Sequence, residues 1–124
     1  MIGYTMLGTS DHARAKAFYD PLMALLGAQV NTDYSSEFGT WYTVGGSTPM
    51  LVITVPHDNA PATAGNGTMV ALPATSQGVV NDVYAKAIAA GAADEGAPGY
   101  RNGPFYGAYF RDLDGNKLCV FKIG

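Results

Sequence analysis

The chain has 124 residues, of which 48% are hydrophobic and 14% charged, and its net charge is −3. This length fits one domain with its own hydrophobic core, and seven lysines and arginines are too few for a nucleic-acid-binding face. No apolar run reaches the roughly 20 residues that cross a bilayer, so no membrane partner is expected. Without a recognisable signal peptide, and with one cysteine that has no internal disulfide partner, a cytoplasmic location is expected.

The first half of the chain predicts a strand, a helix and three further strands. An apolar strand spans residues 2–8, and Ser10 or Asp11 caps a helix that runs to about Leu26. Gly27 provides the C-terminal stop of this helix. The three strands that follow are expected at residues 28–34, 38–44 and 50–55.

The second half repeats this order after a linker. Residues 56–67 are rich in proline, alanine, glycine and asparagine and show no periodicity, which is typical of a linker. A strand is then expected at 68–72, followed by a helix that Thr75 or Ser76 caps and Gly91 ends. The remaining elements are a short strand at 92–96, a loop at 97–103 and a closing hairpin. The predicted fold class is therefore α+β, in one domain over residues 1–124.

Five segments, in this order along the chain, carry a family resemblance. They are Tyr4-Thr-Met-Leu-Gly-Thr-Ser-Asp11, Ala15-Lys-Ala-Phe-Tyr-Asp-Pro-Leu22, Gly67-Thr-Met-Val-Ala-Leu72, Gly96-Ala-Pro-Gly-Tyr-Arg101 and Phe110-Arg-Asp-Leu-Asp-Gly-Asn116. Together they resemble the vicinal oxygen chelate superfamily of glyoxalases, bleomycin-resistance proteins and extradiol dioxygenases, in its glyoxalase-like branch. The resemblance implies two βαβββ modules, at 1–56 and 67–124, that form a cupped eight-stranded mixed sheet with the helices outside.

In metal-dependent members of that superfamily, four strands each contribute one metal ligand. The resemblance places these positions at Tyr4, Met69 and Cys119, and at either Met50 or Leu51. Thioethers suit only soft ions, and a phenol would have to lose a proton whose pKa is ordinarily about 10. We therefore predict no divalent metal and no other cofactor, and an adaptable pocket floor at these positions.

Strand alternation predicts further side chains on the same concave face. The predicted lining residues are Met6, Arg101, Tyr109, Arg111 and Phe121. Aromatic rings together with Arg101 or Arg111 would hold a planar or anionic ligand by stacking and charge-assisted hydrogen bonds.

No catalytic role is assigned to the remaining reactive side chains. Both histidines are predicted to be surface imidazoles, although His57, beside Asp58 at the rim of the cup, is a better functional candidate than His12. Cys119 is expected to be a buried, inert thiol, because no histidine is placed to act as its base.

The resemblance implies that the protein binds a small organic molecule in the concave pocket as a homodimer. The residues at the ligand positions predict that it does so without a metal. The low share of charged residues also favours a surface that is buried against a partner subunit. Two alternatives stay open, namely a metal-dependent lyase or isomerase of the lactoylglutathione lyase type and an antibiotic-sequestering resistance protein.

Overall fold

The computed structural model describes residues 1–124 and contains eight strands and two helices. The chain forms two units, residues 1–63 and 64–124, and the division lies inside the segment 56–67. Each unit contains one copy of the order βαβββ, which confirms the predicted fold class and repeat. Neither helix is long and apolar enough to cross a membrane.

Unit 1 is a four-stranded mixed sheet with one helix. Its elements are β1 (Tyr4–Gly8), α1 (His12–Leu25), β2 (Gln29–Val30), β3 (Gly39–Thr43) and β4 (Met50–Thr54). The strand order is β1-β4-β3-β2, in which β1 runs parallel to β4 and the other pairs are antiparallel. The Asp11 side chain caps α1 by accepting from the backbone N–H of Arg14 at 3.1 Å.

The core of unit 1 lies between α1 and one face of the sheet. Phe18 and Leu22 of α1 and Leu7 of β1 are among its buried side chains. The hydroxyl of buried Tyr42 donates to Oδ1 of Asp20 on α1 at 2.7 Å. Burial and then the Asp20 carboxylate raise the pKa of Tyr42, so this phenol stays protonated and its hydrogen bond ties the sheet to the helix.

Strand β2 is much shorter than the predicted strand at 28–34. After Val30, the Asn31 side chain accepts from the backbone N–H groups of Asp33 at 3.0 Å and Tyr34 at 3.1 Å. This local turn satisfies amides that a longer strand would have paired with its neighbour. The sequence prediction was wrong here because it did not include asparagine's ability to bond its own backbone.

Unit 2 repeats the arrangement. Its elements are β5 (Val70–Pro73), α2 (Gln77–Ala89), β6 (Ala93–Asn102), β7 (Phe105–Arg111) and β8 (Lys117–Ile123). The strand order is β5-β8-β7-β6, with β5 parallel to β8. Ser76 is the N-cap of α2, and its side chain accepts from the backbone N–H of Val79 at 3.1 Å. Val80, Val83 and Leu118 are fully buried between α2 and the sheet.

The predicted loop at 97–103 is instead mostly strand, because β6 continues to Asn102. Three register shifts interrupt its pairing with β7, and Pro98 lies within this irregular part. Strand β6 is at the edge of the sheet, where a proline without an N–H group is tolerated. The proline and glycines therefore mark a bulged edge strand, and not a loop.

The turn between β7 and β8 is held by Asp112. Its Oδ1 accepts from the backbone N–H groups of Asp114 and Asn116, both at 2.9 Å, and its Oδ2 accepts from the Asn116 side chain at 2.9 Å. Gly115 adopts φ +88°, which glycine allows without strain. The acidic run is thus the hairpin turn that the sequence predicts.

Candidate functional site

In unit 1, the sheet face opposite α1 carries exposed apolar side chains. Tyr4 and Met6 are 55% and 54% exposed. Leu7, the next residue of β1, is buried on the helix side of the sheet. Met50 lies directly opposite Tyr4 in the parallel pair of β1 and β4. Leu51 is buried on the helix side, so Met50 is the residue that shares the open face with Tyr4.

An aromatic row follows this open face. The Tyr4 and Trp41 rings are 4.8 Å apart between centroids and tilted by 52°, and the Trp41 and Tyr34 rings are 5.4 Å apart and tilted by 45°. Tyr4 and Tyr34 are exposed and Trp41 is half-buried. The aromatic row thus presents π-systems of three residues to the same surface.

A cavity of about 430 Å³ opens on unit 1 where β1 and β4 end. We call it the unit 1 cavity. Its lining residues are Met6, Phe38, Thr54, Val55, Pro56, His57 and Asn59. The side chains of Met6 and Phe38 form apolar walls, and the exposed His57 and Asn59 supply polar groups. Of the predicted lining residues only Met6 borders this cavity, and His57, expected at a rim, lies in its lining.

The segment after β4 is fixed against β1 and shapes this cavity. A Cβ on Gly8 would approach Cβ of Ala62 to 3.1 Å, so the glycine allows the segment to pass close to the strand. The backbone N–H of Ala62 donates to Oγ of Ser10 at 2.9 Å. Asn59 adopts φ +60° and donates its N–H to the Pro56 carbonyl at 2.9 Å, which closes a turn. Sequence reasoning treated this stretch only as a linker.

In unit 2, the sheet face opposite α2 carries Tyr109, Cys119 and Phe121. Tyr109 lies opposite Cys119 in the pair of β7 and β8, and the Phe121 ring stacks on Phe105 with 5.2 Å between centroids. Cys119 is buried. Burial raises the pKa of its thiol, although the Tyr109 hydroxyl and neighbouring cations act in the opposite direction. The thiol is therefore protonated at neutral pH and a poor nucleophile.

Arg101 lies against the Tyr109 ring, with its Cζ 5.3 Å from the ring centroid. Its Nη2 donates to the Ala97 carbonyl at 2.6 Å. A Cβ on Gly96 would be 3.0 Å from Nη2, and a Cβ on Gly99 would be 3.1 Å from Nη1. The two glycines of β6 thus leave the space that the guanidinium occupies.

Two further cations, Lys117 of β8 and Arg111 of β7, share Glu95 as a partner. Nζ of Lys117 is 5.8 Å from the Tyr109 ring centroid and 3.9 Å from Oε1 of Glu95. Arg111 donates from Nε to Oε1 of Glu95 at 2.8 Å and from Nη1 to the Gly115 carbonyl at 3.0 Å. Arg111 therefore links the edge strand to the hairpin turn, which leaves it fewer donors for a ligand.

The four positions that the resemblance assigns to metal ligands do not fit a divalent metal. Unit 1 contributes Tyr4 and Met50, and unit 2 contributes Cys119 and the exposed Met69, which immediately precedes β5. Two thioethers, a phenol and a protonated thiol are poor donors for Mn²⁺, Fe²⁺ or Zn²⁺. Nowhere else do three or more histidine, cysteine, aspartate or glutamate side chains form a group that could hold an ion.

Two βαβββ units, each with a helix on one sheet face and an open opposite face, define a paired-module α+β protein. Residues 1–120 match the model of the Glyoxalase/Bleomycin resistance protein/Dioxygenase superfamily, so the chain belongs to this superfamily. This result confirms the resemblance of the five sequence segments. No protein of curated function matches the chain in sequence.

Solved structures show the same fold. A glyoxalase/bleomycin resistance protein from Albidiferax ferrireducens T118 is 33% identical, aligns over 100% of this chain and 99% of its own, and gives a TM-score of 0.89. A glyoxalase/bleomycin resistance protein/dioxygenase family enzyme from Burkholderia phytofirmans PsJN is 22% identical over 98% of both chains, with a TM-score of 0.76. A glyoxalase-related enzyme from Fulvimarina pelagi is 16% identical over 98% of this chain and 87% of its own, with a TM-score of 0.75.

Proposed function

We propose that this protein binds a small organic molecule in the unit 1 cavity and needs no metal to do so. The observation that carries this proposal is the cavity itself. Its volume of about 430 Å³ lies within the range of roughly 300–1,000 Å³ that is typical of ligand pockets. Apolar walls with a few polar groups are the usual composition of such a site.

The lining residues indicate the chemistry of the ligand. Met6 and Phe38 offer apolar surface for a hydrocarbon or aromatic body, and the flexible thioether of Met6 adapts to different shapes. The His57 imidazole and the Asn59 amide can bond a carbonyl or hydroxyl group. Since the hydroxyl of Thr54 donates to backbone carbonyls of Phe38 and Val55 at 3.2 and 3.1 Å, it contributes less. A ligand with an apolar body and one polar end fits this arrangement.

The alternatives have less support from the residues. A lyase or isomerase of the lactoylglutathione lyase type would use a metal, and the donor set of Tyr4, Met50, Met69 and Cys119 is unsuited to one. A sequestered cationic drug would call for acidic walls, and none of the residues that line the unit 1 cavity is acidic. Binding of a neutral, largely apolar molecule is therefore favoured.

Metal independence is tested by combining elemental analysis with dye binding. Untagged protein is purified with and without chelator treatment and titrated with Nile red, a neutral apolar dye, while its fluorescence is followed. We expect saturable binding with the same Kd in both samples and no stoichiometric divalent ion. One divalent ion per chain, together with loss of dye binding after chelation, would contradict the proposal.

We also propose that two copies of the chain associate through the aromatic row. Tyr4 and Tyr34 are exposed on either side of Trp41, and exposed aromatic surface of this kind is typical of the centre of an interface. Sedimentation velocity should give a dimer mass, and Tyr34→Lys should shift the equilibrium towards monomer. A monomer at all concentrations would refute the association.

A further inference from the structure

We propose that Asn66 is a site of spontaneous deamidation, at which the side-chain amide is hydrolysed to a carboxylate. Asn66 and Gly67 are the two central residues of a turn that precedes β5, and the backbone N–H of Thr68 closes this turn by donating to the Gly65 carbonyl at 3.2 Å. The turn belongs to unit 2 and does not line the unit 1 cavity, so this proposal does not depend on the proposed function.

The first argument is that the two reacting groups are free and exposed. The nucleophile is the backbone nitrogen of Gly67, whose N–H donates to no other group of the chain, and the Asn66 side chain that it attacks has no hydrogen-bond partner. All four residues of the turn are exposed. A Cβ on Gly67 would meet nothing within 4 Å, so neither its own side chain nor a neighbour shields the nitrogen.

The reaction needs water and no other reagent. The Gly67 nitrogen loses its proton to solvent and attacks Cγ of Asn66. The new N–Cγ bond closes a succinimide ring, while the Cγ–Nδ2 bond breaks and Nδ2 leaves as ammonia with a proton from water. Water then opens the ring at one of its two carbonyls. If the N–Cγ bond breaks, the product is an aspartate. If the bond from the nitrogen to the backbone carbonyl carbon breaks, the product is an isoaspartate. Either product adds one negative charge at neutral pH.

The second argument is a comparison with the other asparagines of the chain. Four of them are held by a hydrogen bond, either at the side chain or at the backbone N–H of the next residue, and these are Asn31, Asn59, Asn81 and Asn116. None of the four precedes a glycine, so the next residue carries a side chain beside the attacking nitrogen. Ring closure at these positions must break a hydrogen bond and is sterically hindered.

Asn102 is the one other asparagine that precedes a glycine, and it differs from Asn66 in its backbone. It pairs with Phe105 where the hairpin of β6 and β7 turns. Ring closure requires the backbone to rotate until the next nitrogen meets the side chain, and at Asn102 this rotation disrupts the strand pair. The turn around Asn66 is closed by a single backbone hydrogen bond. Local opening therefore costs less free energy at Asn66 than at Asn102.

The test is peptide mapping by mass spectrometry after the folded full chain has been incubated at mildly alkaline pH, where more of the glycine nitrogen is deprotonated. We expect the mass increase that accompanies replacement of –NH₂ by –OH in the peptide that contains Asn66, as a mixture of aspartate and isoaspartate. Deamidation at Asn102 should be roughly tenfold slower, because opening there breaks further backbone hydrogen bonds. Asn66→Gln should remove the modification from this peptide, since glutamine must close a larger ring, and the exposed position should tolerate it.

Incubation in denaturant separates the effect of the fold from that of the sequence. Both Asn-Gly pairs should then react at similar rates, because neither a turn nor a hairpin constrains them. Equal rates at Asn66 and Asn102 in the folded protein, or a faster reaction at Asn102, would refute the selectivity for Asn66. If Asn66 reacts in denaturant and stays unmodified in the folded protein, the turn protects the side chain and the proposal is wrong.

Discussion

Phe38→Ala is the sharpest single change for the unit 1 cavity, because it removes an apolar wall and leaves the backbone contacts in place. The Phe38 carbonyl accepts from the backbone N–H of Val55 at 2.9 Å, and its N–H donates to Oγ of Ser36 at 3.1 Å. Alanine retains both bonds. We therefore expect a large loss of ligand affinity and a small change in the free energy of unfolding.

The size of the effect follows from exposure. Phe38 is 61% exposed, and complete burial of a phenylalanine side chain contributes about 1.5–3 kcal/mol. A ligand that covers the exposed part therefore gains about 1–2 kcal/mol from this side chain. Loss of that contact corresponds to a Kd for Nile red that is roughly 5- to 30-fold higher.

Val44→Ala is the matched control. Val44 is 64% exposed in the same unit and does not line the cavity. Nile red fluorescence titrations should give a Kd for this variant equal to that of the unmodified protein, and thermal melts should show both variants folded. An equal rise in Kd for Phe38→Ala and Val44→Ala, or no rise for either, would refute the cavity as the binding site.

Three further predictions concern buried groups and a helix cap. Tyr42→Phe removes the hydrogen bond to Asp20 and should lower the free energy of unfolding by about 1–2 kcal/mol in chemical denaturation. The folded state raises the pKa of Tyr42 above its unfolded value near 10. The stabilisation that the protonated phenol provides is therefore complete below pH 10 and is lost as the pH rises further. This alkaline loss of stability should be smaller in Tyr42→Phe. Cys119 should react with a thiol reagent only slowly in the folded protein and rapidly in denaturant, and fast reaction when folded would contradict its burial. Ser76→Ala should cost about 1 kcal/mol of stability through loss of the α2 cap, with Ser47→Ala as a control outside any helix.

The fold was largely predictable because its signals are local and periodic. The cap at Ser76, the stop at Gly91 and the turn centred on Gly115 each follow from the conformational preference of one residue. The two errors concern the length of β2 and the extension of β6. In each case a side chain or an edge position changes the backbone structure that the local sequence pattern predicts. An asparagine turn shortens β2, and the free edge of the sheet tolerates Pro98 within β6.

The candidate sites were less predictable because they depend on contacts between distant residues. The sequence predicts Phe38 as the first residue of a strand. Its neighbours in the sequence do not indicate that it lines a cavity together with His57. Arg101 was predicted to line the pocket. That Gly96 and Gly99 leave room for its guanidinium follows only from the structure, in which the guanidinium lies against these two glycines. The sequence analysis used the segment from Gly96 to Arg101 for the family resemblance, but it did not recognise that the two glycines of its Gly-x-x-Gly-x-Arg spacing leave room for the arginine.

Strand alternation explains why the family is evident from the sequence and the chemistry is not. Residues that hold the fold together, such as Leu7 and Leu118, point to the helices, while Tyr4 and Cys119 on the same strands belong to the opposite face. The resemblance assigns metal-ligand positions to Tyr4 and Cys119, and a phenol and a thiol can stand there without any change in the packing beneath the helices. In this chain, therefore, the helix-facing residues stabilise the fold, and the residues on the opposite sheet faces determine which chemistry a ligand would meet there.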